Sequence, residues 1–122
     1  MSSRTWIKLY CENWLTGTLR TETPEVRSVW ADLLALVGNN KYSDYGRLQL
    51  SPDIGYSDQQ IVKILKIPLR LWVEAKQRFI ATDRITVDDD NIISIQNWSK
   101  YQVDYSRQIK YKKSKAKIIL PP

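Results

Sequence analysis

The sequence predicts an α+β domain, mainly α, and three local signals carry that expectation. Thr23-Pro24 opens a stretch in which apolar residues recur at helical steps. Ser57-Asp58-Gln59-Gln60 opens a second, which Pro68 interrupts and restarts. Arg84-Ile85-Thr86-Val87 and Ile92-Ile93-Ser94-Ile95, both rich in β-branched residues, face each other across residues 88–91.

In chain order, residues 5–10 read as a short strand, with Trp6, Lys8 and Tyr10 on one side and Ile7 and Leu9 on the other. Thr16-Gly17-Thr18 marks a turn. A helix is expected from Pro24 to about Val37. Thr23 suits its N-cap and Pro24 its first position, where a missing N–H costs nothing. Val26, Val29, Trp30, Leu33, Leu34 and Val37 form its apolar stripe. Gly38 is placed to end it in the left-handed conformation. Gly46-Arg47-Leu48-Gln49-Leu50 alternates as a short strand does.

Ser57 with Gln60 three residues on is a capping box, and Ile61, Ile64 and Leu65 supply the buried face of a short helix. Pro68 cannot lie inside that helix and reads as the first residue of another, reaching about Ala81. Its expected buried stripe is Leu69, Trp72, Val73, Phe79 and Ile80, with Lys76 on the same side. Arg70, Glu74, Gln77 and Arg78 fall on the opposite face. The hairpin follows, with Asp and Asn at a connection that needs positive φ.

Helix, short strand, helix, tight turn, helix, hairpin is the order of a winged helix-turn-helix. The helix-turn-helix spans about 57–81 and the wing about 84–96, within a domain of residues 1–98. The second helix of such a pair lies in the major groove. Residues 99–122 read as a basic amphipathic helix and tail, with Ile118-Ile119-Leu120 either a linker start or a small docking segment.

Composition narrows the function. At 122 residues the chain is one domain with an appendage. It has no histidine, which removes the commonest general base, the histidine-activated nucleophiles and the usual zinc sites. Cys11 is the only cysteine, so no intramolecular disulfide forms and a reducing compartment is expected. The four glycines are too scattered to cradle a nucleotide. No signal peptide and no apolar run near the roughly 20 residues of a spanning helix is visible. The expectation is a cytoplasmic binding protein, not an enzyme, with no cofactor, no metal and no membrane.

Charge is segregated. From Asn97 onward Lys100, Arg107, Lys110, Lys112, Lys113, Lys115 and Lys117 stand against Asp104 alone, which equals the net charge of +6 for the whole chain. A neutral body with a cationic arm points to a polyanionic partner. On the helix opened by Pro68, Arg70 and Arg78 suit guanine and Gln77 suits adenine. Glu74 either accepts from cytosine or pairs with Arg70 or Arg78. Lys63 and Lys66 near the turn are weaker candidates, for backbone contacts. Trp98, Tyr101, Tyr105 and Ile109 recur at helical steps. Packing is the reading for Trp98 and Tyr101, while stacking on single-stranded DNA stays open for Tyr105 and Tyr111. Asp88-Asp89-Asp90 reads as a solvated turn, poorly suited to phosphates, since consecutive strand residues alternate faces and no further carboxylate completes a metal shell.

Three stretches together carry a resemblance: Trp-Ile-Lys-Leu-Tyr at residues 6–10, Pro-Glu-Val-Arg-Ser-Val-Trp at 24–30, and Asn-Trp-Ser-Lys-Tyr-Gln at 97–102. They resemble the N-terminal domain of phage replisome organisers, which are related in design to DnaD-like primosomal winged-helix proteins. The resemblance covers about residues 5–111. It implies a phage or prophage replication initiator that binds duplex origin DNA or assembles with copies of itself in the bacterial host cytoplasm. It also implies a separate C-terminal region recruiting helicase-loading or primosomal proteins; none is seen in these residues, which read as a domain or a short homologue. A winged-helix transcription regulator and a self-assembly or protein-interaction module are the alternatives.

Overall fold

Thr23 and Pro24 open the longest helix, as their chemistry requires. The Thr23 hydroxyl accepts from the Val26 N–H at 3.2 Å, and Pro24 starts the helix with no donor to lose. In the computed structural model, which describes residues 4–102, the helices are α1 (Cys11–Thr16), α2 (Pro24–Asn39), α3 (Asp58–Leu65), α4 (Leu69–Ala81) and α5 (Trp98–Tyr101). The strands are β1 (Arg47–Ser51), β2 (Ile54–Gly55), β3 (Ile85–Val87) and β4 (Ile93–Ile95). They form one antiparallel sheet in the order β2-β1-β4-β3, so the protein is mixed α/β and mainly helical.

The hairpin forms as expected, with Ile85 opposite Ile95 and Val87 opposite Ile93. β1 then pairs with the other side of β4, Leu48 opposite Ile93. The core lies between this sheet and the helices. Leu33, Leu48, Ile61, Trp72, Phe79, Ile85 and Ile93 are fully buried. Trp30 meets Phe79 edge-on at 5.0 Å between ring centres, a geometry that adds about 0.5–1.5 kcal/mol beyond area burial.

Several expectations are corrected. Residues 5–10 join no strand. Their backbone is instead engaged by a side chain: the Lys8 N–H donates to Gln102 Oε1 at 2.7 Å, and Gln102 Nε2 donates to the Lys8 carbonyl at 2.9 Å. A glutamine amide offers one donor and one acceptor side by side, which is what a neighbouring strand offers. Residues 11–22, given only a turn at Thr16-Gly17-Thr18 from sequence, hold α1 and a 3₁₀ turn at Thr18–Thr21.

Gly38 does not end α2 in the left-handed conformation. The helix runs through it to Asn39 and stops at Asn40, whose φ of −81° and ψ of 147° are extended. Gly38 is small for another reason: a Cβ there would lie 2.6 Å from the Ile7 side chain. Among the described residues the glycine in the left-handed region is Gly46, at φ 66°, where a Cβ would collide with Trp98.

In α3, Ile61 is buried but Ile64 is 48% exposed. In α4, Pro68 is the N-cap, with ψ 142°, and not the first helical residue. The buried stripe is Trp72, Ala75 and Phe79, while Leu69 and Ile80 are exposed at 40% and 43%. Ile80 lies about 100° round the helix from Phe79, and Leu69 stands in the first turn, beyond the cover of the core. β2 left no sequence signal, because a two-residue edge strand has no alternation to read. Beyond Gln102 the expected basic helix lies outside the described residues.

Candidate nucleic-acid interface

The outward face of α4 is set by what holds its inward face. Asp58, first residue of α3, accepts from Trp72 Nε1 at 2.8 Å and from Lys76 Nζ at 3.0 Å. Burial pushes the Asp58 carboxyl up, but the Trp72 and Lys76 hydrogen bonds outweigh it and hold the group below its usual range. One carboxylate therefore fixes α4 against α3 at the centre of α4. Lys76 is on the buried side as expected, with a structural partner.

The two helices join through residues 66–68. Lys66 caps α3 in the left-handed conformation, φ 57° and ψ 49°. Its N–H donates to the Val62 carbonyl at 2.8 Å, and the Ile67 N–H donates to the same oxygen at 3.3 Å. Lys63, Lys66 and Arg70 are exposed, as are Ile64 and Leu69 between them.

Arg70, Glu74, Gln77 and Arg78 all lie on exposed positions, as the periodicity predicts. They are not equivalent. Among the described residues, Arg70 and Glu74 form no ion pair with one another, so that alternative for Glu74 is not taken up. Arg78 grips Glu22 with a fork, Nε to Oε1 at 2.9 Å and Nη2 to Oε2 at 2.8 Å. Arg84 completes the cluster 4.0 Å from Glu22 while donating to Thr82 and Thr18. The hydrogen bonds from Arg78, working against burial, hold the Glu22 carboxyl below its usual value, and Glu22 in turn raises Arg78. Burial lowers Arg84. This cluster ties the 3₁₀ turn to the far end of α4, and Arg78 is committed to it. Sequence reasoning missed Glu22 because the partners are 56 residues apart.

Trp98 and Tyr101 pack, as their spacing predicts. Trp98 is 3% exposed, beneath the Arg4 guanidinium at 5.6 Å. The Tyr10 hydroxyl donates to the Tyr101 carbonyl at 2.7 Å and the two rings meet edge-on at 5.1 Å. Arg4 also donates to the Gln102 carbonyl. A cavity of about 390 Å³ lies between this joint and α2, walled by Tyr10, Trp14, Trp30, Trp98 and Tyr101 among others. Lys100 is exposed, its amino group 5.2 Å from the Tyr101 ring centre. Arg107, Lys110, Lys112, Lys113, Lys115 and Lys117, with Tyr105, Ile109 and Tyr111, lie outside the described residues.

Asp88, Asp89 and Asp90 are exposed at the hairpin tip. The tip is anchored sideways: the Gly55 N–H donates to the Asp90 carbonyl at 3.1 Å, and Asn91 Nδ2 to the Tyr56 carbonyl at 2.9 Å. Asp88 Oδ1 accepts from the Asp90 and Ile92 N–H groups, an internal use for a carboxylate in a turn. Among the described residues no group of three His, Cys, Asp or Glu is placed to hold a metal ion.

The terminal segments at residues 6–10 and 97–102, far apart in sequence, thus touch in space. A family model described as N-terminal phage replisome organiser matches residues 6–118, which takes in both segments and the whole of the body between. The chain belongs to that family. No curated protein and no solved structure matches it. Membership of the replisome organiser family gives the chain a replication-related role. Among the described residues no helix is long and apolar enough to cross a membrane.

Proposed function

We propose that this replisome organiser domain is a winged helix-turn-helix that binds duplex origin DNA in a bacterial host's cytoplasm, in a phage or prophage replication system. In this reading α3 and α4 are the helix-turn-helix, β3 and β4 are the wing, and α4 enters the major groove. The observation that carries it is the outward face of α4 and its turn. Arg70, Gln77, Lys63 and Lys66 are exposed there, and no acidic residue occurs from position 59 to 73 in a body that is neutral as a whole.

The labour divides in two. Arg70 addresses guanine and Gln77 adenine, each good bidentate pair contributing about 1–3 kcal/mol of discrimination. Arg78 serves mainly to hold α4 through Glu22 and lends only its half-exposed guanidinium to DNA. Lys100, Arg107, Lys110, Lys112, Lys113, Lys115 and Lys117 supply a sequence-blind phosphate contact. The acidic hairpin tip stays off the phosphates. The domain acts by binding and not by catalysis, a reading supported by the absence of histidine from the chain. It assembles with copies of itself and works alongside helicase-loading proteins.

Anisotropy titration of a labelled duplex across salt concentrations tests this. With four to six arm residues on phosphates, log K falls against log salt with a slope of about −4 to −5. A chain ending at Gln102 then loses affinity for random and candidate-origin duplexes about equally. An oligomer that ignores duplex DNA at moderate salt would overturn the reading in favour of a protein-interaction module.

A further inference from the structure

Four residues other than glycine occupy the left-handed region among the described residues: Lys66, Asp83, Asn91 and Asn97. Aspartate and asparagine accept that conformation because their short polar side chains bond locally. Lysine has no such compensation, and glycine is the residue that relieves the strain at a helix C-terminus. Lys66 sits at such a C-terminus, directly between α3 and α4. Its side chain is exposed and makes no ion pair among the described residues.

The surroundings of Lys66 suit an anion. Lys63 lies one helical turn before it and Arg70 at the start of α4, both exposed. Ile64 and Leu69, between them in sequence, are exposed at 48% and 40%. Asp58 and Glu74 are the nearest acids in sequence, on either side; Asp58 is occupied by Trp72 and Lys76, and Glu74 stands exposed further along α4. A flexible ammonium on a fixed backbone position is well suited to a single phosphate oxygen.

We propose that Lys66 is a phosphate-contacting residue, held in an unfavourable backbone conformation because the α3–α4 turn, with Lys63 and Arg70, seats the first turn of α4 on the DNA backbone. The inference rests on the duplex-binding reading above. It assigns the strained position to binding, since folding alone favours glycine there.

The test compares the full chain with Lys66→Gly, Lys66→Asn and Lys66→Arg on one random-sequence duplex. The readouts are affinity from about 50 to 200 mM salt and the thermal midpoint. Lys66→Gly and Lys66→Asn should each reduce the salt slope by about 0.9, so that the affinity lost across that range shrinks about 3.5-fold. Their midpoints should rise by about 2–4 °C as the strain is relieved. Lys66→Arg should restore the slope. An unchanged slope in the glycine and asparagine variants overturns the inference whichever way the midpoint moves. So does a slope that stays low in Lys66→Arg, since a phosphate contact follows the charge. If the parent chain ignores the duplex at the lowest salt, the duplex-binding reading itself has failed and takes this inference with it.

Discussion

At the joint between the chain's two described ends, Arg4 covers Trp98, Gln102 brackets the Lys8 backbone, and Tyr10 bonds to Tyr101 and meets its ring edge-on. At the turn before α4, Lys63, Lys66 and Arg70 are exposed, with no ion pair among the described residues. Both regions are built from basic and large apolar side chains. In the first, the side chains bond to or pack on one another, so removing one takes a partner from the next and stability falls. In the second, nothing in the fold needs the cations, so their removal should weaken a ligand's binding without loss of stability. Sorting basic residues by whether the fold already uses them separates structural from binding positions better than charge does. Arg78 shows the distinction within one helix face, since Glu22 has taken it.

The largest expected effect comes from breaking the joint. Trp98→Ala should cost about 3–5 kcal/mol in urea unfolding, the range for emptying a buried tryptophan site. A loss within the few tenths typical of exposed positions would show that the joint is not part of the core. Gln102→Ala comes next. It strips the Lys8 N–H and carbonyl of their partner at once and should cost about 1–3 kcal/mol. An unchanged unfolding midpoint would show that water serves those groups equally well.

Glu22→Gln sharpens the comparison through pH. Arg78 holds the Glu22 carboxyl below its ordinary value of 4.5. The unfolded chain therefore takes up that proton first as pH falls. The stability contributed is complete above the ordinary value and is lost as pH drops through the depressed folded one. Glu22→Gln should be less stable than the parent near neutrality, with the gap narrowing as pH falls below the ordinary value and through the depressed folded one. A gap that stays constant would mean that the pair's charge contributes nothing. The smallest effect is expected at Lys100, whose replacement by Gln should reduce the salt slope for duplex DNA by about 0.9 and leave unfolding within about 0.5 kcal/mol. A slope equal to the parent's would remove Lys100 from the arm.

What could be read from sequence follows the range of the interactions. The Thr23 and Ser57 caps act over three residues, and both formed as their spacing implied, the capping box with both its bonds. The β3–β4 hairpin is equally local, and its pairing needs only alternation and a turn. Bonds that close over long separations left no such trace. Gln102 meets Lys8 across 94 residues and Arg78 meets Glu22 across 56, and in each case a polar side chain satisfies what a strand or a solvated face was expected to supply. Gly38 illustrates the same limit: its place at a helix end suggested a turn, while the constraint is Ile7 against it. For the interface, helical periodicity put Arg70, Gln77 and Arg78 on one exposed face. Only the tertiary structure separates the arginine that is engaged from the one that is not.

That separation is tested most directly by comparing Arg70→Ala with Arg78→Ala in parallel, by duplex anisotropy on a sequence selected from a random pool and by urea unfolding. Arg70→Ala should lower affinity by about 1–3 kcal/mol while unfolding stays within about 0.5 kcal/mol of the parent. Arg78→Ala should show the reverse balance, a clear loss of stability with the smaller loss of affinity. An Arg70→Ala variant that binds the duplex as tightly as the parent would contradict the account.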